Sequence, residues 1–137
     1  MARKPIKRKK VRKIKHISLK VLRKKAWVLQ SEYIRRSERG VCFTCGSRRL
    51  WKKQDTGHYI HKNCLDFDLI NLHCQCARCN RFLHGNLGVY AERLIAEYGE
   101  EVIAELRQRA NQVKKFTIFE LELLIIKYEQ LLKTLEA

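Results

Sequence analysis

The chain has 137 residues, 45% hydrophobic and 32% charged, which suits one domain with a modest core and is too little for several. Its 30 Lys and Arg against 14 Asp and Glu give a net charge of +16, which argues against a purely protein-binding zinc module and for a polyanionic partner. The longest apolar cluster, "LELLIIKY", is interrupted by charge and far shorter than a bilayer requires, so no membrane partner is expected.

Residues 1–25 hold 13 of the basic side chains and no acidic one, leaving only +3 for the other 112. This segment reads as a basic arm, disordered when free, whose Arg3, Lys4, Lys7, Arg8, Lys9, Lys10, Arg12, Lys13 and Lys15 contact nucleic-acid phosphates. It carries no apolar stretch of signal-peptide length, so a cytosolic protein with reduced cysteines is expected. Next, "SLKVLRKKAWVLQSEYIRRSERG" predicts a helix, with Ser18 as N-cap, Gly40 past its end, and Leu19, Leu22, Ala26, Leu29 and Tyr33 on its inner face. Residues 26–86 form the expected core with this leading helix. Within it, positions 41–86 collect all six cysteines and four of the five histidines, so the chemistry is placed there.

From Leu87 to 137 the pattern is helical. Val89, Tyr90, Leu94, Ile95 and Tyr98 share a stripe that Gly99 interrupts, and Thr117 and Glu120 have capping-box spacing before the last helix. Ile118, Leu121, Ile125, Tyr128, Leu132 and Leu135 then form a seam that serves either the interior of the protomer or a homodimer contact.

Two Cys-x-x-Cys pairs, Cys42 with Cys45 and Cys76 with Cys79, match in spacing and predict one structural zinc site. Cys74 is left out because a Cys-x-Cys pair rarely satisfies a structural tetrahedral site, and Cys64 and Cys74 are read as thiols without a role. The gap of 30 residues between Cys45 and Cys76 exceeds the roughly 15 to 20 of a simple ribbon. An insert therefore separates the knuckles. It holds "DTGHYIHKN" and Asn71, while Asn80 and His84 follow the second knuckle at a spacing that would put them one helical turn apart.

The order Cys42-x-x-Cys45, Gly57-His58, Asn71, Cys76-x-x-Cys79-Asn80 resembles the zinc-stapled HNH, or ββα-metal, nucleases. More narrowly, "DTGHY", "INLHCQCARCN" and "GNLGVYAERLIAEYGEEVIAEL" are similar to the bacteriophage recombination family NinG, also called Rap. The resemblance covers about residues 40–137. It implies an α+β fold with an HNH core and flanking C-terminal helices, and a metal-dependent endonuclease acting on branched DNA such as Holliday junctions and D-loops, in the cytoplasm of a phage-infected or lysogenic bacterium. Residue by residue, it implies His58 as general base, Asn71 as the asparagine that holds the base's loop, and Asn80 as a ligand of a catalytic Mg2+ or Mn2+. Asp55 and His84 are the further candidate ligands. The chain departs from many HNH sequences at Gly57, where an acidic residue or histidine precedes the base, so Asp55 can serve only if a bulge or turn at Gly57 brings it round to His58.

These residue types suit phosphodiester hydrolysis. An imidazole titrating near neutrality can take a proton from water, and a hard cation on oxygen ligands can neutralise charge on the phosphoryl group. In this scheme zinc is a staple and takes no part in the chemistry. The competing expectation is a noncatalytic zinc-knuckle protein that binds DNA or RNA, which accounts for the charge and cysteines but not for Asp55, His58, Asn71 and Asn80 together.

Overall fold

The computed structural model describes residues 17–136. The nine basic residues assigned above to phosphate contact, from Arg3 to Lys15, lie outside the described residues. The fold is α+β and mostly helical. Helix α1 spans Leu19–Ser37, strands β1 (Asp55–His58) and β2 (Leu72–Gln75) form a two-stranded sheet, and α2 (Leu87–Tyr98), α3 (Val102–Ala110) and α4 (Ile118–Glu136) complete the chain. Because α1 begins at Leu19, the expected boundary between positions 25 and 26 falls inside a helix.

The hydroxyl of Ser18 accepts a hydrogen bond from the Val21 amide and caps α1 as its sequence predicts. The inner face is rotated from the expected one: Leu22, Ala26, Gln30 and Ile34 are buried, whereas Leu19 is 49% exposed. The physical reason is that α1 is covered on two sides, by the sheet through Ser31 and Thr56 and by α4 through Leu22, Ala26, Leu121 and Ile125. At the start of α4, the Thr117 hydroxyl accepts from the Glu120 amide while the Glu120 carboxylate accepts from the Thr117 amide, a reciprocal capping box. Leu121, Ile125, Tyr128 and Leu132 are then buried, and the Tyr33 and Tyr128 rings meet at 5.6 Å. The centre of the seam is thus interior to the protomer, while Ile118 and Leu135 at its ends are exposed.

A second core joins Phe43, Tyr90, Leu94, Val102 and Leu106, with Gly99 at φ 99° making the break between α2 and α3. Ile95 and Tyr98, expected on the inner stripe of α2, are exposed. The strands pair antiparallel with Asp55 opposite Gln75 and Gly57 opposite His73. This register runs through Gly57 without interruption, so the bulge that Asp55 would need to reach His58 is absent. Gly57 is glycine for another reason: a Cβ would lie 1.8 Å from the Gln75 side-chain oxygen, which crosses that spot.

Candidate functional site

The cysteine turns are shaped by their own backbone. Gly46, at φ 76°, closes the first, its amide donating to the Cys42 carbonyl, and the amides of Cys45 and Cys79 point at the sulfurs of Cys42 and Cys76. The Phe43 amide donates to the Cys74 carbonyl and fastens one turn to the strand leading into the other. As a result the Sγ atoms of Cys42, Cys45, Cys76 and Cys79 all lie within 4.8 Å of one another, with Cys45 and Cys76 3.7 Å apart. A tetrahedral zinc with bonds of about 2.3 Å separates its sulfurs by about 3.8 Å. The four thiols therefore fit a zinc ion.

Burial pushes the Cys79 thiol up to about 12. Burial also opposes ionisation of Cys42, but the Thr44 hydroxyl and the backbone amides around it outweigh that and hold this thiol down at about 6. Cys74 is not in the cluster. It is fully buried across from Thr56, and burial followed by the Glu38 carboxylate pushes its thiol up to about 12. Cys64 lies near the carbonyls of Arg109 and Ala110, also away from the cluster.

Strand alternation turns Thr56 and His58 toward α1. There the His58 ring stacks on Trp27 at 5.0 Å and 9°, His61 lies 5.0 Å away on a tilted ring, and His58 Nε2 is 3.5 Å from Asp66 Oδ1. The other Asp66 oxygen accepts from Arg23 at 2.7 Å. Burial raises the Asp66 carboxyl, but its bonds to His58 and Arg23 prevail and hold it below the usual carboxylate range. Beyond His58 the chain is pinned by Asn71. That fully buried amide accepts from the Ile60 N–H at 2.8 Å and donates to the Ile60 carbonyl at 2.9 Å.

The other face of β1 carries Asp55. Its carboxylate accepts from Arg81 Nε at 2.8 Å and Arg81 Nη2 at 2.7 Å, and from the Asn80 amide at 3.0 Å. Asp55 and Asn80 are thus brought together as expected, but away from His58. His84 is not with them in the expected way: the single π-helical turn Arg78–Phe82 ends before it, and His84 is exposed at φ 51°, so no helical face joins it to Asn80. With both Asp55 oxygens on a guanidinium, this donor set does not fit a hard cation as arranged.

Trp27, Arg23, Asp66 and Arg81 were not reached from sequence. The first three come from α1 and from the loop after β1, with no periodicity linking them to His58. Arg81 had a signal, since it directly follows Asn80 at the end of the second knuckle.

The family model described as "Bacteriophage Lambda NinG protein" matches residues 2–137. Among curated relatives, Protein ninG of Escherichia phage 933W is 34% identical over 133 residues, covering 90% of this chain and 64% of that protein. Protein ninG of Escherichia phage lambda is 33% identical and that of Salmonella phage P22 32%, each over 133 residues, with 90% of this chain and 63% of the relative covered. The chain spans a little under two thirds of the length of these relatives. No solved structure matches it. A match over nearly the whole length, with relatives above 30% identity across most of the sequence, shows that this chain belongs to the NinG family of bacteriophage proteins.

Proposed function

We propose that the protein is a structure-specific DNA endonuclease that hydrolyses phosphodiester bonds in branched recombination intermediates, with His58 as the general base. The observation that carries this reading is the Asn71 clamp on Ile60, which fixes the backbone two residues beyond a histidine at the end of β1, in a hairpin flanked by the cysteine cluster. An imidazole held by a stack on Trp27 and faced by the Asp66 carboxylate is oriented before substrate arrives, so less ordering remains for the reaction.

Zinc belongs to this reading as the ion of the four cysteines, holding the knuckles on either side of the hairpin together. Magnesium or manganese belongs to it as an expected requirement of the reaction, with Asp55 and Asn80 as donors only if Arg81 leaves the carboxylate. The arrangement of Asp55, on the face away from His58 and already paired with Arg81, favours the second reading, a noncatalytic zinc-knuckle protein that binds nucleic acid.

Cleavage of labelled four-way junctions, D-loops and linear duplex by the purified protein, with magnesium, with manganese and with chelator, separates the two. His58→Ala is expected to lose about a hundredfold to ten-thousandfold in rate while retaining zinc and DNA affinity. Cleavage by His58→Ala at the wild-type rate would end the assignment of the base. Binding without cleavage in any metal would leave the noncatalytic reading.

A further inference from the structure

At the C-terminal end of α1, away from His58, a groove of about 610 Å³ is lined by Arg36, Arg39, Arg48, Arg49 and Trp51. Arg36 is paired with Glu32 and with Glu136. Among the described residues, the side chains of Arg39, Arg48 and Arg49 form no ion pair and no hydrogen bond, and all three are exposed. Three cations already crowd the Trp51 ring: the guanidinium carbons of Arg35 and Arg36 lie 5.2 and 5.7 Å from its centroid and the Lys52 ammonium 5.6 Å. Like charges brought this close repel, and a polyanion would relieve the repulsion.

The backbone that presents these arginines is locked. Val41 and Arg48 form a β-bridge, the Arg49 amide donates to the Gly40 carbonyl, and the buried Gln54 side chain donates to the carbonyls of Gly40 and Ser47. Packing here is tight enough that a Cβ on Gly40 would lie 2.0 Å from the Arg49 carbonyl oxygen. Arg39 occupies the left-handed region at φ 57°, where Gly or Asn would turn the chain with less strain, so the turn itself gives no reason for an arginine. The first cysteine turn leads straight into this segment, with the Cys42 amide bonded to the Ser47 carbonyl.

We propose that this groove, through Arg39, Arg48 and Arg49, binds the phosphodiester backbone of double-stranded DNA. Guanidinium forks match phosphate oxygens and remain charged at any physiological pH. A continuous polyanion, rather than a single phosphate, is indicated by three exposed guanidiniums without acidic partners lining one groove. Lys20, Arg23 and Lys24 line a second groove at the N-terminal end of α1 beside Trp27 and Asp66. From Trp27 to Arg36 is nine residues, about 14 Å along the helix axis at 1.5 Å per residue but half a turn around it, so the two grooves are separate surfaces. The proposal rests on reading the protein as one that acts on DNA, but it does not depend on cleavage.

The test measures affinity for a fluorescent linear duplex by anisotropy across a range of salt, using the full chain. Arg39→Gly is comfortable at its positive φ, and Arg48→Ala and Arg49→Ala remove exposed side chains, so zinc content and circular dichroism should stay at wild-type values. Each lost phosphate contact lowers the slope of log affinity against log salt by about 0.9, so the triple variant should lower it by about two to three and bind correspondingly more weakly at low salt. Arg39→Gly alone should lower it by about one. His58→Ala should leave the slope unchanged, which separates this groove from the assignment of the base: a groove effect in a protein that cuts nothing refutes the nuclease and keeps the groove. An unchanged slope in the folded triple variant, absence of DNA binding by the wild type, or a loss confined to binding of phosphatidylserine vesicles overturns the proposal.

Discussion

Replacing Asn71 tests how the hairpin end is held. Its side chain is fully buried and makes two hydrogen bonds of 2.8 and 2.9 Å to the N–H and carbonyl of Ile60. Asn71→Ala leaves both backbone groups without these partners in a site that water does not freely enter, and each unsatisfied group costs about 1–3 kcal/mol. The sum, about 2–6 kcal/mol, is a large share of the roughly 5–15 kcal/mol that a domain has. With a urea dependence of about 2 kcal/mol per molar, the unfolding midpoint should fall by roughly 1–3 M. Asn71→Asp keeps an acceptor for the Ile60 N–H but loses the donor and sets a carboxylate oxygen against the Ile60 carbonyl, so it should also destabilise. Chemical denaturation followed by fluorescence of Trp27 and Trp51 measures the effect. A midpoint for Asn71→Ala within about 0.3 M of wild type would refute the reasoning, because it would mean that the two bonds contribute nothing net.

Three further outcomes are expected. Cys76→Ser should lose zinc and most of the cooperative unfolding transition, while Cys74→Ser keeps one zinc per chain; equal metal loss, read by atomic absorption, would mean that the cysteines are wrongly paired. Asp66 titrates lower in the folded protein than in the unfolded chain, so its contribution is full above the unfolded value near 3.9 and disappears as pH falls through the folded one. The stability advantage of wild type over Asp66→Asn should therefore shrink below about pH 4, and an advantage that stays constant down to pH 2 would contradict this. Ile125→Glu should unfold the protein rather than dissociate a dimer, because it places a charge between α1 and α4; a folded, soluble variant of halved mass in sedimentation would show the opposite.

The elements set by local chemistry were legible in the sequence. Ser18, Thr117 and Glu120 cap their helices through bonds spanning three residues, and the matched Cys-x-x-Cys turns need only backbone amides to shape them. Asn71 was placed by resemblance, and the structure puts its side chain on the loop that follows His58. What failed was whatever depended on which face meets which neighbour. The stripe on α1 suits a helix buried on one side, but the helix is buried on two, and this admits Gln30 and Ile34 to the interior. Asp55 could meet His58 only through a bulge or turn at Gly57, yet Gln75 lies over Gly57 and the strand runs straight, leaving the two on opposite faces. The helical turn that would carry His84 beside Asn80 stops two residues before it. Neighbours such as Trp27 and Asp66 arrive from other elements and leave no mark near His58 in the chain.

The pairing of α1 with α4 bears on how the protein is made. Leu22 and Leu121 share one cluster although 99 residues separate them in the chain, so the helix that carries Trp27 and borders both basic grooves cannot cover its apolar side until nearly everything else has been synthesised. Contacts of such long sequence separation come late and slow the search for the native state. During that interval a cationic helix with an uncovered apolar stripe is exposed to nascent RNA, ribosomes and other chains, which makes early intermediates prone to association. Refolding should accordingly show a slow phase in which α1 and α4 dock after the cysteine turns have closed on zinc, and substitutions at Leu121 should change the rate of that phase more than substitutions at Leu94, whose cluster reaches back in the chain only as far as Phe43.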